Sequence, residues 1–108
     1  NRTRGEAMIR LMSALGYRMA ALGNHDFDYG AERTRELQRL ASFPLRGANV
    51  LERATGQPFL GEPFAVFAVG GVRVGVLALG YHNTHLTGNP EHVQALRFTD
   101  GIAAARQY

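Results

Sequence analysis

Two β-rich runs, Phe64-Ala-Val-Phe-Ala-Val69 and Val72-Arg-Val-Gly-Val-Leu-Ala-Leu79, are separated only by Gly70-Gly71. A two-residue connection made of glycines closes an antiparallel hairpin, because the favoured turns need positive φ at their central positions. The chain therefore carries a β component. The rest of the order is read from hydrophobic spacing. Met8, Leu11, Met12 and Leu15 fall at i, i+3, i+4 and i+7, one face of an amphipathic helix over residues 5–15, which Gly16 stops. Residues 17–22 (YRMAAL) form a short apolar run that reads as a buried strand. Residues 31–42 make a second helix, with Leu37, Leu40 and Ala41 inward and the pairs Glu32/Arg35 and Glu36/Arg39 outward, closed by Pro44. Residues 45–50 are a further strand candidate, residues 52–63 an exposed loop and residues 80–97 a polar loop, and Thr99 is placed as the N-cap of a last helix. The order helix, strand, helix, strand, strand, strand, helix predicts an α/β layered fold.

The chain has 108 residues, 45% of them apolar, enough for one core and too apolar for a disordered chain. All 12 basic residues are arginine, and there is no cysteine. These absences exclude a Walker-A or Schiff-base lysine, a thiolate nucleophile, a cysteine zinc site and a disulfide within these residues. The net charge of +3 is spread from Arg2 to Arg106 without a run, a solvated surface and not a track for nucleic acid. No stretch approaches the about 18 apolar residues of a membrane span. The chain opens at Asn1 without Met and ends barely two turns into its last helix, so it is expected to be a segment of a longer protein.

The chemistry is concentrated in Gly23-Asn24-His25-Asp26-Phe27-Asp28-Tyr29-Gly30, which follows a predicted strand directly. In α/β sheets, ligands bind beyond the carboxyl ends of strands. Gly23 and Gly30 free the backbone at either end of the segment. Asn24 offers a neutral oxygen to a cation. His25 is able to ligate metal or donate a proton, and Asp28, three residues on, can reach back to fix its ring. The competing reading is an ordinary loop in which Asn24 and Asp26 serve as caps and His25 is merely exposed. Phe27 and Tyr29 read as packing residues. A second cluster, His82, His85 and the more distant His92, has no third ligand at conventional spacing and lies among Gly80, Gly88, Asn89 and Pro90, so it reads as loop histidines.

Met12-Ser-Ala-Leu-Gly-Tyr17 followed by Ala20-Ala-Leu-Gly-Asn-His-Asp-Phe-Asp-Tyr-Gly30 resembles the third conserved block of the calcineurin-like metallophosphoesterases, in the form used by the 5′-nucleotidase branch. Phe43-Pro44, Ala48-Asn49-Val50, the hairpin and Leu96-Arg-Phe-Thr-Asp100 continue the similarity in the same order. The resemblance implies that residues 1–108 are the central segment of one catalytic domain, part of a four-layer αββα sandwich. It implies two divalent metal ions in the complete domain (Mn, Zn, Mg, Co or Fe), with Asn24 as a ligand to one, His25 as the catalytic residue at the phosphate and Asp28 as its orienting partner.

The implied substrate is a nucleotide or another phosphoester, and the implied partners are the remainder of the domain and a C-terminal substrate domain. The implied location is the periplasm, the cell surface or the medium. A cyclic-nucleotide phosphodiesterase or UDP-sugar hydrolase on the same scaffold is the alternative, and a binding module without metals is the alternative of another class. The family's Asp-x-His, Gly-Asp, Gly-His and Gly-His-x-His blocks are absent from these residues, and Arg18 stands where the branch commonly has Asp.

Overall fold

The computed structural model describes residues 2–108. In chain order the elements are α1 (Glu6–Ala14), β1 (Ala20–Ala21), a 3-10 turn (Asn24–Phe27), α2 (Ala31–Leu40), β2 (Leu45–Arg46) and β3 (Val50–Glu52). They continue with β4 (Phe64–Val69), β5 (Val72–Leu77), α3 (Thr84–Thr87), a second 3-10 turn (Pro90–Val93), β6 (Leu96–Phe98) and α4 (Gly101–Ala105). The class is α/β. The strands pair as three two-stranded units: β1 with β2 in parallel, β3 with β6 antiparallel and β4 with β5 antiparallel.

The hairpin forms in the expected register, Val69 opposite Val72, with Gly70 at φ 55° and Gly71 at φ 80°. Its two faces are open to solvent in the described chain, with Val66 and Val74 both exposed. An isolated two-stranded ribbon is marginal in water. One tie comes from Arg18, whose guanidinium lies 4.6 Å from the centre of the Phe67 ring and donates to the Ala68 carbonyl at 3.2 Å. The departure from the family pattern at position 18 thus has a structural role: a planar cation stacks on an aromatic ring and anchors the segment before β1 to β4.

The core gathers Leu22, Phe27, Phe43, Val50, Phe59 and Leu96, all almost fully buried. Several expectations are corrected here. The strand over residues 17–22 narrows to Ala20–Ala21, where Ala20 donates to the Pro44 carbonyl and Leu22 to that of Arg46. The strand over 45–50 breaks into β2 and β3 because the chain turns at Gly47: the Ala48 N–H goes to Ala78 and the Val50 N–H returns to Gly47.

Residues 52–63 are no exposed loop. A turn through Gly56 (φ 71°) brings Phe59 back beside Val50, to which its N–H donates at 2.7 Å, and Phe59 is wholly buried. Residues 80–97 hold α3, a 3-10 turn and the start of β6. The last helix is capped by Asp100, whose carboxylate accepts the Ala103 N–H at 2.7 Å, while Thr99 pairs by its backbone N–H with the Asn49 carbonyl. On α2, Leu37 and Thr34 are buried and Leu40 is exposed. Glu36 pairs with Arg33 at 2.7 Å in place of Arg39, while Glu32 and Arg35 meet at 3.6 Å as expected.

The stripe on α1 is also corrected. Ile9 takes the interior position and Met12 packs beside it, whereas Met8, Leu11 and Leu15 are 59%, 53% and 68% exposed. The helix has an apolar flank beyond the one it buries against α2, and in the described chain that flank faces solvent.

Candidate active site

The segment between β1 and α2 is fixed at four points. Phe27 enters the core, with its ring centre 6.0 Å from that of Phe59 and 5.6 Å, edge-on, from that of Phe98. The Asp26 carboxylate accepts the Gly23 N–H at 2.6 Å. The Thr34 hydroxyl, buried in the first turns of α2, donates to the Asp26 carbonyl at 2.6 Å. Gly30 turns the chain into α2 with φ 88° and ψ 157°, a region open essentially to glycine. Gly23 needs no such freedom, since its backbone is extended (φ −95°, ψ 178°).

With the backbone held from below, the side chains of Asn24, His25 and Asp28 are left on the open side. The His25 ring presents Nδ1 to both carboxylate oxygens of Asp28, at 3.0 and 3.2 Å. His25 is 83% and Asp28 50% exposed at the side chain. The i, i+3 spacing across a 3-10 turn brings them together, since residues three apart eclipse there. With Nδ1–H donated to Asp28, the ring presents Nε2 to an incoming group. Asn24 sits half-buried at the start of the turn, and its side chain makes no hydrogen bond among the described residues. The competing loop reading is met in part: Asp26 is a cap, whereas Asn24 is not, and His25 is exposed but partnered.

Burial pushes the Asp26 carboxyl above its ordinary value; the Gly23 N–H pulls it back, the Asp28 charge adds to the rise and His25 offsets it. A neutral acceptor of the same shape keeps the Gly23 bond and carries no charge to desolvate. In the full-length protein at neutral pH, Asp26→Asn is expected to melt at or above the wild-type temperature. Asp26→Ala, which loses the acceptor, is expected to lose about 1 kcal/mol. Thermal melts of the two variants check this.

A cleft of about 430 Å³ opens beside the dyad, between α1, β1 and the start of α2. Met8, Met12 and Ala20 form its apolar side, and His25, Asp28 and Tyr29 its polar rim. Tyr29 is therefore only partly a packing residue; one of its faces meets the Arg4 guanidinium, 5.4 Å from the ring centre. Sequence reasoning missed Arg4, because only its contact across the fold distinguishes it from the other arginines.

The histidines of the second cluster do not join the site. His82 lies against Tyr81, and His85 stacks on Phe98 at 6.4 Å between ring centres. No group of three or more His, Asp or Glu side chains able to hold an ion is found among the described residues. The donor set nevertheless fits a contributing role: an unengaged amide oxygen at Asn24 next to an oriented imidazole is suited to completing a cation site whose other ligands come from elsewhere. No helix is long and apolar enough to cross a membrane among the described residues.

No family model matches the chain. A 5′-nucleotidase of Vibrio cholerae is 38% identical over 96 residues, 89% of this chain and 17% of the relative. Protein UshA of Yersinia enterocolitica is 35% identical over 102 residues, 94% of this chain and 18% of the relative. Among solved structures, a 5′-nucleotidase precursor from Thermus thermophilus is 36% identical with a TM-score of 0.81, over 96% of this chain and 20% of the other. A putative 5′-nucleotidase from Staphylococcus aureus is 25% identical with a TM-score of 0.85, over 100% and 21%. The calcineurin-like phosphoesterase YfkN of Bacillus subtilis, 24% identical, shares the fold with a TM-score of 0.79, over 93% and 32%. The chain thus spans about a fifth or less of the curated relatives it matches.

Proposed function

Because this chain belongs to the 5′-nucleotidase branch of the calcineurin-like phosphoesterases, we propose that it supplies the catalytic dyad and one metal ligand of an enzyme that hydrolyses nucleotide phosphoesters. The observation that carries this reading is the His25–Asp28 pair at 3.0 Å, exposed on the loop that follows a parallel strand. In this reading residues 1–108 are the central part of one catalytic domain. The apolar flank of α1 and the open faces of the hairpin are surfaces for the rest of that domain, whose layers complete the αββα sandwich. A C-terminal domain that binds the nucleoside, and export to the periplasm, the cell surface or the medium, belong to the same proposal.

The residues divide the work by their chemistry. Asp28 accepts from His25 Nδ1 and holds the ring in one orientation. His25 then offers a proton at Nε2 to the oxygen that leaves the phosphorus, opposing the negative charge that develops there. The Asn24 oxygen would ligate one of the divalent cations without adding charge. When bound, two such cations supply Lewis-acid polarisation of the phosphoryl group. Phe27, Asp26 and Thr34 keep the loop rigid beneath these groups.

Two measurements on the full-length protein test the assignment. Asn24→Ala is expected to lower bound metal, measured by elemental mass spectrometry, by roughly 10- to 100-fold in affinity at one site. A variant with wild-type metal content would remove Asn24 from the ligand set. A panel of AMP, a cyclic nucleotide and a UDP-sugar reads the substrate: fastest release of phosphate from AMP agrees with the proposal, and no turnover of any of the three would end it.

A further inference from the structure

Among the described residues, β6 is paired on one side only, by β3. The register that sets Val50 opposite Phe98 and Glu52 opposite Leu96 continues past both ends: the Thr99 N–H reaches the Asn49 carbonyl and the Arg53 N–H that of Ala95, each at 2.9 Å. Backbone groups in an antiparallel ladder alternate in direction. Residues 95, 97 and 99 therefore turn toward β3, and the N–H and C=O groups of Leu96 and Phe98 turn away from it. On that outer side no hydrogen bond to them is made among the described residues.

A cleft of about 470 Å³ opens along this edge, and all three residues of β6 line it. It shares no lining residue with the cleft beside His25 and Asp28. Pro90, Val93 and Phe98 give it an apolar wall, Arg53 and Arg97 give it positive charge, and no carboxylate lines it. Arg97 is exposed, and its guanidinium has no hydrogen bond or ion pair among the described residues. Arg53 donates Nε to the Gln94 carbonyl at 2.9 Å, which lays its side chain across the start of β6 and leaves the terminal nitrogens without a partner among the described residues. In the ladder Arg97 stands opposite Leu51, and Arg53 opposite Ala95. The two arginines therefore share one face of the ribbon, and Leu96 and Phe98 share the other.

A strand laid against β6 would pair with the outward groups of Leu96 and Phe98, and its own side chains would alternate between these two faces. One set would meet Pro90 and Val93, the other Arg53 and Arg97. We propose that the outer edge of β6 docks an extended segment of a partner protein in which acidic residues alternate with apolar ones. Main-chain bonds would hold such a segment, and the alternate side chains would select it. A second copy of this chain is the poorer occupant, because pairing two β6 edges would set the arginines of one against those of the other.

The test titrates the full-length protein with a labelled peptide of alternating Glu and Val, followed by fluorescence anisotropy. The controls are an alternating Lys/Val peptide and a Glu/Val peptide in two blocks. The alternating acidic peptide is expected to bind roughly 10- to 100-fold more tightly than either. Arg97→Glu, at a side chain that holds no bond in the described chain, is expected to weaken it by about 10-fold. Arg53→Glu with Arg97→Glu is expected to turn the preference toward the Lys/Val peptide, a result that loss of fold does not produce. Hydrogen exchange on the wild-type complex is expected to slow at the amides of Leu96 and Phe98. Equal affinity for the three peptides, a preference that survives the charge reversal, or a complex in which those two amides exchange as before overturns the proposal. So does a full-length protein whose two amides are already protected without peptide, since a segment of its own chain or a second copy then holds the edge.

Discussion

His25→Ala in the full-length protein is expected to lower kcat on nucleoside monophosphates by roughly 10²- to 10³-fold while bound metal and thermal stability stay at wild-type levels. The separation follows from where the dyad sits. His25 is 83% exposed, and ion pairs this open contribute about 0–1 kcal/mol to folding, so the fold does not depend on this one. The loop is held by other groups: Phe27 in the core, the Asp26 carboxylate on Gly23 and the Thr34 hydroxyl on the Asp26 carbonyl. Under the proposed function, truncating the imidazole therefore removes the proton donor and leaves its platform in place. Asp28→Asn, which keeps the shape but not the charge, is expected to fall between wild type and His25→Ala in kcat. Steady-state kinetics, elemental analysis and a thermal melt on the same preparations decide it. A His25→Ala protein with normal turnover would show that the pair is structural, and one that melts early would show that the loop needs the ring.

Asn49→Asp produces the opposite pattern, a loss of fold with the dyad residues unchanged. Asn49 is completely buried, and its amide donates to the Gly80 carbonyl at 2.8 Å and to the Thr99 carbonyl at 3.0 Å while its oxygen accepts the Gly80 N–H at 2.7 Å. These bonds tie the turn before β3 to the segment after β5 and to the residue after β6. Aspartate keeps the acceptor and loses both donors, so a carboxylate would face two carbonyls away from water. The cost is on the order of 3–5 kcal/mol, a large share of the 5–15 kcal/mol that holds a typical domain together. The variant is expected to melt far below wild type or to fail to accumulate as folded protein. Gly80 also packs beside the Leu22 carbonyl, where a Cβ would approach to 3.3 Å, so displacing it disturbs the strand end from which the loop of His25 and Asp28 departs. A wild-type melting curve for Asn49→Asp would refute the clamp.

Part of this was legible before any coordinates. The hairpin was readable because Gly70-Gly71 states its own turn, and the His25–Asp28 pair because residues three apart meet in any tight turn. The exposed loop expected over residues 52–63 failed for an instructive reason: its polar composition is local, but Phe59 is drawn into the core by Val50, Phe27 and the Arg35 guanidinium stacked 4.6 Å from its ring centre. The stripe on α1 failed differently. Spacing identified an apolar side correctly as apolar, but spacing carries no information about which neighbour is present to cover it.

The sequence by itself determined the α/β class, the two-residue hairpin and the pairing of His25 with Asp28, since each depends on groups a few residues apart along the backbone. Only the tertiary structure decided what Asn49 and Arg18 do. The Asn49 amide bonds join residues 31 and 50 positions away, and the Arg18 bond to Ala68 also spans 50. Periodicity and turn chemistry act over a handful of residues, so they are blind to such pairs. Hydrogen bonds and cation–ring contacts at that separation come into being only once the core has brought the segments together.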